Sequence, residues 1–177
     1  MSIAYAILVS LSDCPKSGYD LAKAFDGSVG FFWQATHQQI YRELTKLESQ
    51  NWIAAEAIEQ SGRPNKKLFS LTDLGQTRLK EWISQPCQPE ASKDELMVKV
   101  FAGYLVAPEV LVKEITRQRQ LHAERLAVYQ EIDRQMCEGN LNCTDIQVKY
   151  AYLTLRRGIR FEQDWIEWCD ESIDMLA

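Results

Sequence analysis

The chain of 177 residues is 46% hydrophobic and 25% charged, a soluble globular composition with room for one ordinary domain or two small ones. Eight glycines and five prolines are too few for an all-β fold or a disordered chain, so the composition favours helices. The net charge of −5 excludes a nonspecific basic coat for nucleic acid, and it is uneven: residues 1–82 hold nine Lys/Arg and nine Asp/Glu, residues 83–177 eleven and sixteen.

Residues 2–12 predict a short buried helix, with Ile3, Ile7, Leu8 and Leu11 at helical spacing and Asp13-Cys14-Pro15 ending the run. "KSGYDLAKAF" predicts a second helix, with Ser17 as N-cap, Asp20 as its acidic capping partner, and Leu21, Ala24 and Phe25 facing inward. Phe31, Phe32 and Trp33 are too many large apolar groups for a free loop and are expected to plug the space between helices. A third helix over about 36–50 takes Thr36 as N-cap and Gln39 at the capping-box position. Its buried stripe is Ile40, Leu44 and Leu47, with Gln38, Arg42, Thr45, Lys46 and Ser49 largely opposite. Asn51 stands where a helix end needs positive φ, which Asn tolerates.

Two short strands come next. "WIAAEAIEQ" alternates weakly, "KKLFSLT" clearly, and "SGRPN" between them is a turn by composition. Thr72 then caps a helix whose apolar side is Leu74, Leu79, Trp82 and Ile83, and Gly75 inside it points to a close packing contact. "PCQPEASKD" (86–94), with two prolines and no apolar period, is the linker candidate. Beyond it the expectation is helical throughout: about 93–105, 108–137 and 143–175, with "EGNLNC" turning the chain back. The middle helix starts at Pro108 and turns Leu111, Ile115, His122, Leu126, Tyr129, Ile132 and Met136 inward. The last shows Tyr150, Leu153, Ile159, Phe161, Trp165, Ile166 and Trp168.

Five cysteines (Cys14, Cys87, Cys137, Cys143, Cys169), odd in number and without a CxxC pair, argue against a disulfide framework or structural zinc and suit a reducing cytosol. The apolar start lacks a cationic n-region and a cleavage site and is far short of a membrane span, so the expectation is a soluble, cytoplasmic protein without membrane attachment.

The order helix, helix, helix, strand, turn, strand, helix is that of a winged helix-turn-helix, whose second helix of the motif enters the major groove while the wing reaches the adjacent backbone or minor groove. The third helix offers its positive N-terminal end beside Thr36, His37 and Gln38, with Tyr41, Arg42 and Lys46 in the next turns. Arg63, Lys66 and Lys67 on the hairpin tip are the candidate phosphate or minor-groove anchors. Arg42 has the alternative of pairing with Glu43 or Glu48, and Tyr41 of packing its ring inward.

"SGYDL" (17–21), "HQQIYRELTKLE" (37–48), "RPNKK" (63–67) and "SLTDLGQTRLKEW" (70–82) resemble the DNA-binding domain of PadR-family transcriptional regulators. The helical remainder is similar to the longer C-terminal domain of the subgroup related to virulence activators. The resemblance implies DNA contacts at the positions of Thr36, His37, Gln38, Tyr41 and Arg42 on the helix and of Arg63, Lys66 and Lys67 on the wing. It also implies a homodimer made by the C-terminal helices and, in some members, phenolic or drug-like effectors. One departure is Asn51, where the family commonly has Gly.

The expectation is therefore a mainly α protein with a small β-wing: a winged helix-turn-helix domain at 1–85, a linker at 86–92 and a helical dimerisation or effector domain at 93–177. Its expected function is sequence-specific binding of double-stranded DNA as a homodimeric repressor on an inverted-repeat operator. The competing reading is a winged-helix module that binds a protein partner instead. His122, Tyr129, Tyr150, Tyr152, Trp165 and Trp168 could line a pocket for a small aromatic effector, or form core. Arg156, Arg157 and Arg160 are expected to form salt bridges to acidic neighbours or a partner subunit. With two histidines, no nucleophile elbow, no phosphate-cradling glycine loop and no metal-spaced cluster, the sequence supports neither an enzyme nor a cofactor.

Overall fold

The computed structural model describes residues 3–26, 33, 35–58, 66–87, 93–138 and 146–177. Phe31, Phe32, Arg63 with the rest of the "SGRPN" turn, residues 88–92 and the turn holding Cys143 lie outside them, as does the Cys137 side chain. The chain divides into two compact units, residues 1–89 and 90–177.

In the first unit, helix α1 (Ile3–Ser10) is followed by a two-residue strand β1 (Lys16–Ser17), then α2 (Gly18–Asp26) and α3 (His37–Ser49). Strands β2 (Ile53–Ile58) and β3 (Lys66–Leu71) and helix α4 (Asp73–Ile83) complete it. The core gathers Ile7, Leu8 and Leu11, then Leu21, Ala22 and Phe25, then Ile40, Leu44 and Leu47, with Ile53, Phe69 and Leu79 closing it from the sheet and α4. These are the apolar stripes of two amphipathic helices, α2 and α3, meeting the apolar helix α1, which buries them from water together. Trp33 packs against that core, and Tyr5 stacks on Trp82 with ring centroids 4.5 Å apart.

Helix ends match the sequence chemistry. Ser17 Oγ caps α2 by accepting from the Asp20 N–H (3.1 Å) and donates to the Asp20 carboxylate (2.7 Å), which also accepts from the Ser17 N–H (3.3 Å). Thr36 and Gln39 form the reciprocal box on α3. Asn51 takes φ 58°, the only positive φ at a non-glycine among the described residues. Its turn sets two carbonyls beside Thr72: the Trp52 carbonyl accepts from the Thr72 N–H (3.1 Å), and the Thr72 hydroxyl donates toward the Asn51 (2.6 Å) and Trp52 (3.0 Å) carbonyls. A Cβ at Gly75 would sit 2.0 Å from the Trp52 carbonyl oxygen, so the glycine inside α4 is the close contact its position implied.

Three expectations are corrected here. The sheet has three antiparallel strands, not two, in the order β1-β3-β2: Lys16 pairs with Phe69 and Ser17 with Leu68. Two residues ahead of a helix carry no period-2 signal, which is why β1 is silent in the sequence. Lys66 and Lys67 are not on the turn tip but in β3, opposite Ile58 and Ala57. Leu74 and Ile83 of α4 are exposed rather than inward. Beyond Ala55 the hairpin runs past the core, and Ile58 is exposed, which accounts for the weak alternation of β2.

The second unit consists of α5 (Glu95–Phe101), a single 3-10 turn (Gly103–Leu105), α6 (Pro108–Glu138) and α7 (Ile146–Leu176). The long helices run side by side, with Leu111, Ile115 and Cys169 at the centre of one cluster and Trp165, Trp168, Ile173 and Leu176 packed on it. Tyr129 and Ile159 are buried further along. Tyr150, Leu153 and Phe161, however, are exposed. Among the described residues no helix is long and apolar enough to cross a membrane.

Candidate nucleic-acid interface

Helix α3 presents two faces. Ile40, Glu43, Leu44 and Leu47 turn inward, while Thr36, His37, Gln38, Tyr41, Arg42, Thr45, Lys46 and Ser49 are all exposed on the other side. The core stripe thus fixes which side chains face out, a consequence of 3.6-residue periodicity. The capping box satisfies two of the free N–H groups at the head of α3, and the positive end of the helix dipole lies beside His37 and Gln38. Thr36 spends its hydroxyl on the Gln39 N–H (3.2 Å) and so serves first as a cap.

The cations differ in how far they are already committed. Arg42 has no ion pair or hydrogen bond among the described residues. The carboxylates that could have held it are engaged elsewhere: Glu43 with Lys46 (3.2 Å) and Glu48 with Lys67 (2.9 Å). Lys67 also lies 5.4 Å from the Phe69 ring centre. Lys66 pairs with Asp20 of α2 at 3.0 Å, and the Ser17 hydroxyl together with Lys66 holds the Asp20 carboxyl below the usual carboxylate range. Each wing lysine is therefore tethered to a helix of the same unit by an exposed ion pair worth about 0–1 kcal/mol, weak enough to exchange for a phosphate. Asp20 and Glu48 are site residues that the sequence reading missed. Asp20 carried a visible capping signal, but nothing in a linear pattern announces that a strand 46 positions later will meet it.

Tyr41 packs its ring inward without being covered. Its ring abuts Gly18 at the head of α2, and the residue is still 48% exposed. The structure thus brings together Thr36, His37, Gln38, Tyr41, Arg42 and Lys46 on one helix face, and Lys66 and Lys67 at the base of the wing.

In the second unit, His122 stacks on Trp165 (centroids 4.7 Å apart, 5° between planes), and Trp168 meets Trp165 edge-on. His122 Nδ1 lies 2.5 Å from the carboxylate of Glu162, which is 2% exposed and 3.7 Å from Arg125. An open cleft of about 290 Å³ beside them is lined by Lys93, Asp94, Glu95, Leu96, Gln118, His122 and Trp165. Of the six residues considered for an aromatic pocket, only His122 and Trp165 line this cleft. Tyr129 is core, Trp168 belongs to the packed cluster, and Tyr150 faces out. Burial pushes the Cys169 thiol up, away from the thiolate. Of the two kinds of partner expected for Arg156, Arg157 and Arg160, acidic neighbours on the same chain supply no ion pair among the described residues, and Arg157 lies 5.5 Å over Phe161.

Residues 7–81 match the model of the transcriptional regulator PadR-like family, and residues 92–177 that of the virulence activator alpha C-terminal region. The chain is 36% identical to the Mycobacterium tuberculosis protein "Probable transcriptional regulator Rv1176c", over 99% of this chain and 98% of that one. It is 32% identical to the negative transcriptional regulator PadR of Bacillus subtilis, over 98% of this chain and 97% of that one. The crystal structure of B. subtilis PadR in complex with operator DNA superimposes with a TM-score of 0.87, at 28% identity over 99% of both chains. A structure of the same protein with p-coumaric acid gives 0.78, covering 98% of both. The Vibrio cholerae virulence activator AphA gives 0.79, at 32% identity over 99% of this chain and 98% of that one.

Proposed function

We propose, from the premise that this chain belongs to the PadR-like family of DNA-binding transcriptional regulators, that it is a homodimeric repressor reading an inverted-repeat operator through α3 and the wing. The observation that carries this is the outward face of α3, where Gln38, Tyr41 and Arg42, which has no ion pair among the described residues, stand clear of the core stripe. Amides and guanidinium groups there suit base edges in the major groove, while Lys66, Lys67 and Arg63 supply phosphate contacts that position the helix. His37 and Lys46 flank the same face, and Thr36 orients its start.

Two copies are needed for a two-fold operator. Residues 1–85 serve as the DNA-binding domain, 86–92 as a linker and 93–177 as the dimerising domain. The exposed series Ile146, Tyr150, Leu153, Arg157 and Arg160 on α7 repeats at the 3.5-residue spacing of a helix-pairing seam, which supports α7 as part of the contact between copies. Arginines within that seam that have no ion pair among the described residues fit the acidic surface of a second C-terminal half. The cleft at His122 and Trp165 is the place for a small aromatic effector; B. subtilis PadR has been crystallised with p-coumaric acid. The protein acts in the cytoplasm, where its DNA is, and regulation rather than catalysis is its activity, supported by relatives that are all regulators.

The test is binding of the full chain to the DNA upstream of its own gene, with Arg42→Ala and the triple change of Arg63, Lys66 and Lys67 to Ala alongside. Salt-sensitive binding lost in both variants is expected. Wild-type protein that binds no such DNA at low salt refutes the proposal.

A further inference from the structure

We infer that Gly18 is a positioning residue for operator recognition, acting through Tyr41. This rests on the reading that α3 contacts DNA. A Cβ built on Gly18 would lie 2.5 Å from Tyr41 Cε1, 2.8 Å from Cζ and 2.9 Å from the hydroxyl oxygen. Carbon atoms in favourable contact stand at about 3.5–4.0 Å. The bare Cα at the head of α2 is therefore the seat of the tyrosine ring, and any side chain there displaces the ring by about 1 Å. Gly18 has no positive φ, so its backbone suits any residue; only the space excludes one.

What gives way when that space is filled follows from the surroundings. The two helices cannot part easily, because Leu21, Ile40, Leu44 and Leu47 are all 0–1% exposed between them. The head of α2 cannot retreat either. Ser17 and Asp20 lock its first turn, Ser17 pairs in the sheet with Leu68, and Asp20 holds Lys66 at 3.0 Å. Tyr41, half-exposed, is the only mobile party. An added methyl turns its ring outward and leaves the core alone, so the change falls on the face that meets DNA. Glycine at 18 thus lets one short turn set two DNA-facing groups at once: Tyr41 by contact and Lys66 through Asp20.

The experiment is a double-mutant cycle on the full chain, with Gly18→Ala, Tyr41→Ala and the pair, read by fluorescence anisotropy on a labelled operator duplex at low salt and, in parallel, by thermal unfolding. Gly18→Ala is expected to weaken operator binding at least tenfold, with an unfolding midpoint close to wild type. In the Tyr41→Ala background the same change is expected to cost less than twofold, because no ring remains to be displaced. Equal losses in the two backgrounds, or full affinity in Gly18→Ala, overturn the inference. So does a Gly18→Ala protein that fails to fold, since the effect would then lie in packing and not in Tyr41. Failure of the DNA-binding reading itself shows separately, as absence of binding by the wild type.

Discussion

The wing lysines are held by Asp20 and Glu48, so on the proposed reading a carboxylate, and not only a cation, sets how tightly the wing grips DNA. Consider Glu48→Gln. The amide keeps the size of the side chain and removes the charge that faces Lys67 at 2.9 Å. Both partners are partly exposed (53% and 37% for the side chains), so the ion pair stabilises the free protein by about 0.2–1 kcal/mol, and losing it costs little in folding. Toward DNA the sign reverses. A carboxylate about 7 Å from a phosphate repels it by about 0.6 kcal/mol in water, and an unpaired Lys67 no longer forfeits its partner on binding. The two terms together raise operator affinity by about fourfold to fifteenfold. Because salt screens surface charges, the gain should shrink between about 50 and 200 mM salt. Anisotropy titrations of wild type and variant across that range measure it. Unchanged or weaker binding by Glu48→Gln would refute the reasoning. It would mean that the Lys67–Glu48 bridge orients the wing and that its charge is not released to DNA.

Arg42→Ala should lower operator affinity at least tenfold while leaving the unfolding midpoint within about a degree or two, since no partner among the described residues is lost; denaturation and binding on the same preparation check both. Asn51→Ala, at φ 58°, should destabilise by about 1 kcal/mol and Asn51→Gly should not, as urea unfolding would show. Gly75→Ala forces a methyl to within 2.0 Å of the Trp52 carbonyl and should cost about 2–4 kcal/mol, weakening binding as well because that carbonyl seats the strand after the wing. The Asp20 carboxyl is held below its ordinary value of 3.8 by Ser17 and Lys66, so its stabilisation is complete above that value and lost as pH falls through the lower folded one. Asp20→Asn should flatten that part of the acid unfolding curve followed by circular dichroism.

The sequence was most informative where one local signal decides a structure. Thr36 with Gln39, Ser17 with Asp20, and Asn51 after α3 each rest on hydrogen bonds or backbone angles spanning four residues or fewer, and each is present. The stripe Ile40, Leu44, Leu47 likewise fixed the outward residues of α3. What escaped depends on distant segments. Strand β1 exists because β3 offers it an edge, and the wing lysines find Asp20 and Glu48 only once the sheet has brought them there. In α7 the apolar residues Tyr150 and Leu153 fit a helical stripe yet face out, because a helix with apolar groups on more than one side cannot say which side its own chain will cover.

That same ambiguity bears on how the protein regulates. A chain of net charge −5 cannot hold DNA by bulk attraction, and two of its wing cations are already answered by carboxylates of the same unit. On the proposed reading, affinity then comes from the fit of Tyr41, Arg42 and Gln38 to one sequence, doubled by a second copy at fixed spacing. Binding two half-sites as one unit multiplies a modest single-site affinity only while the spacing matches. A ligand in the helical half therefore need not touch the DNA face to act. It has only to bind one dimer geometry better than the other, and a preference of about 1.4 kcal/mol already changes operator occupancy tenfold. Weak electrostatics at the wing make this possible, because a tighter grip by each half alone would leave the second copy, and any effector acting through it, with little to control.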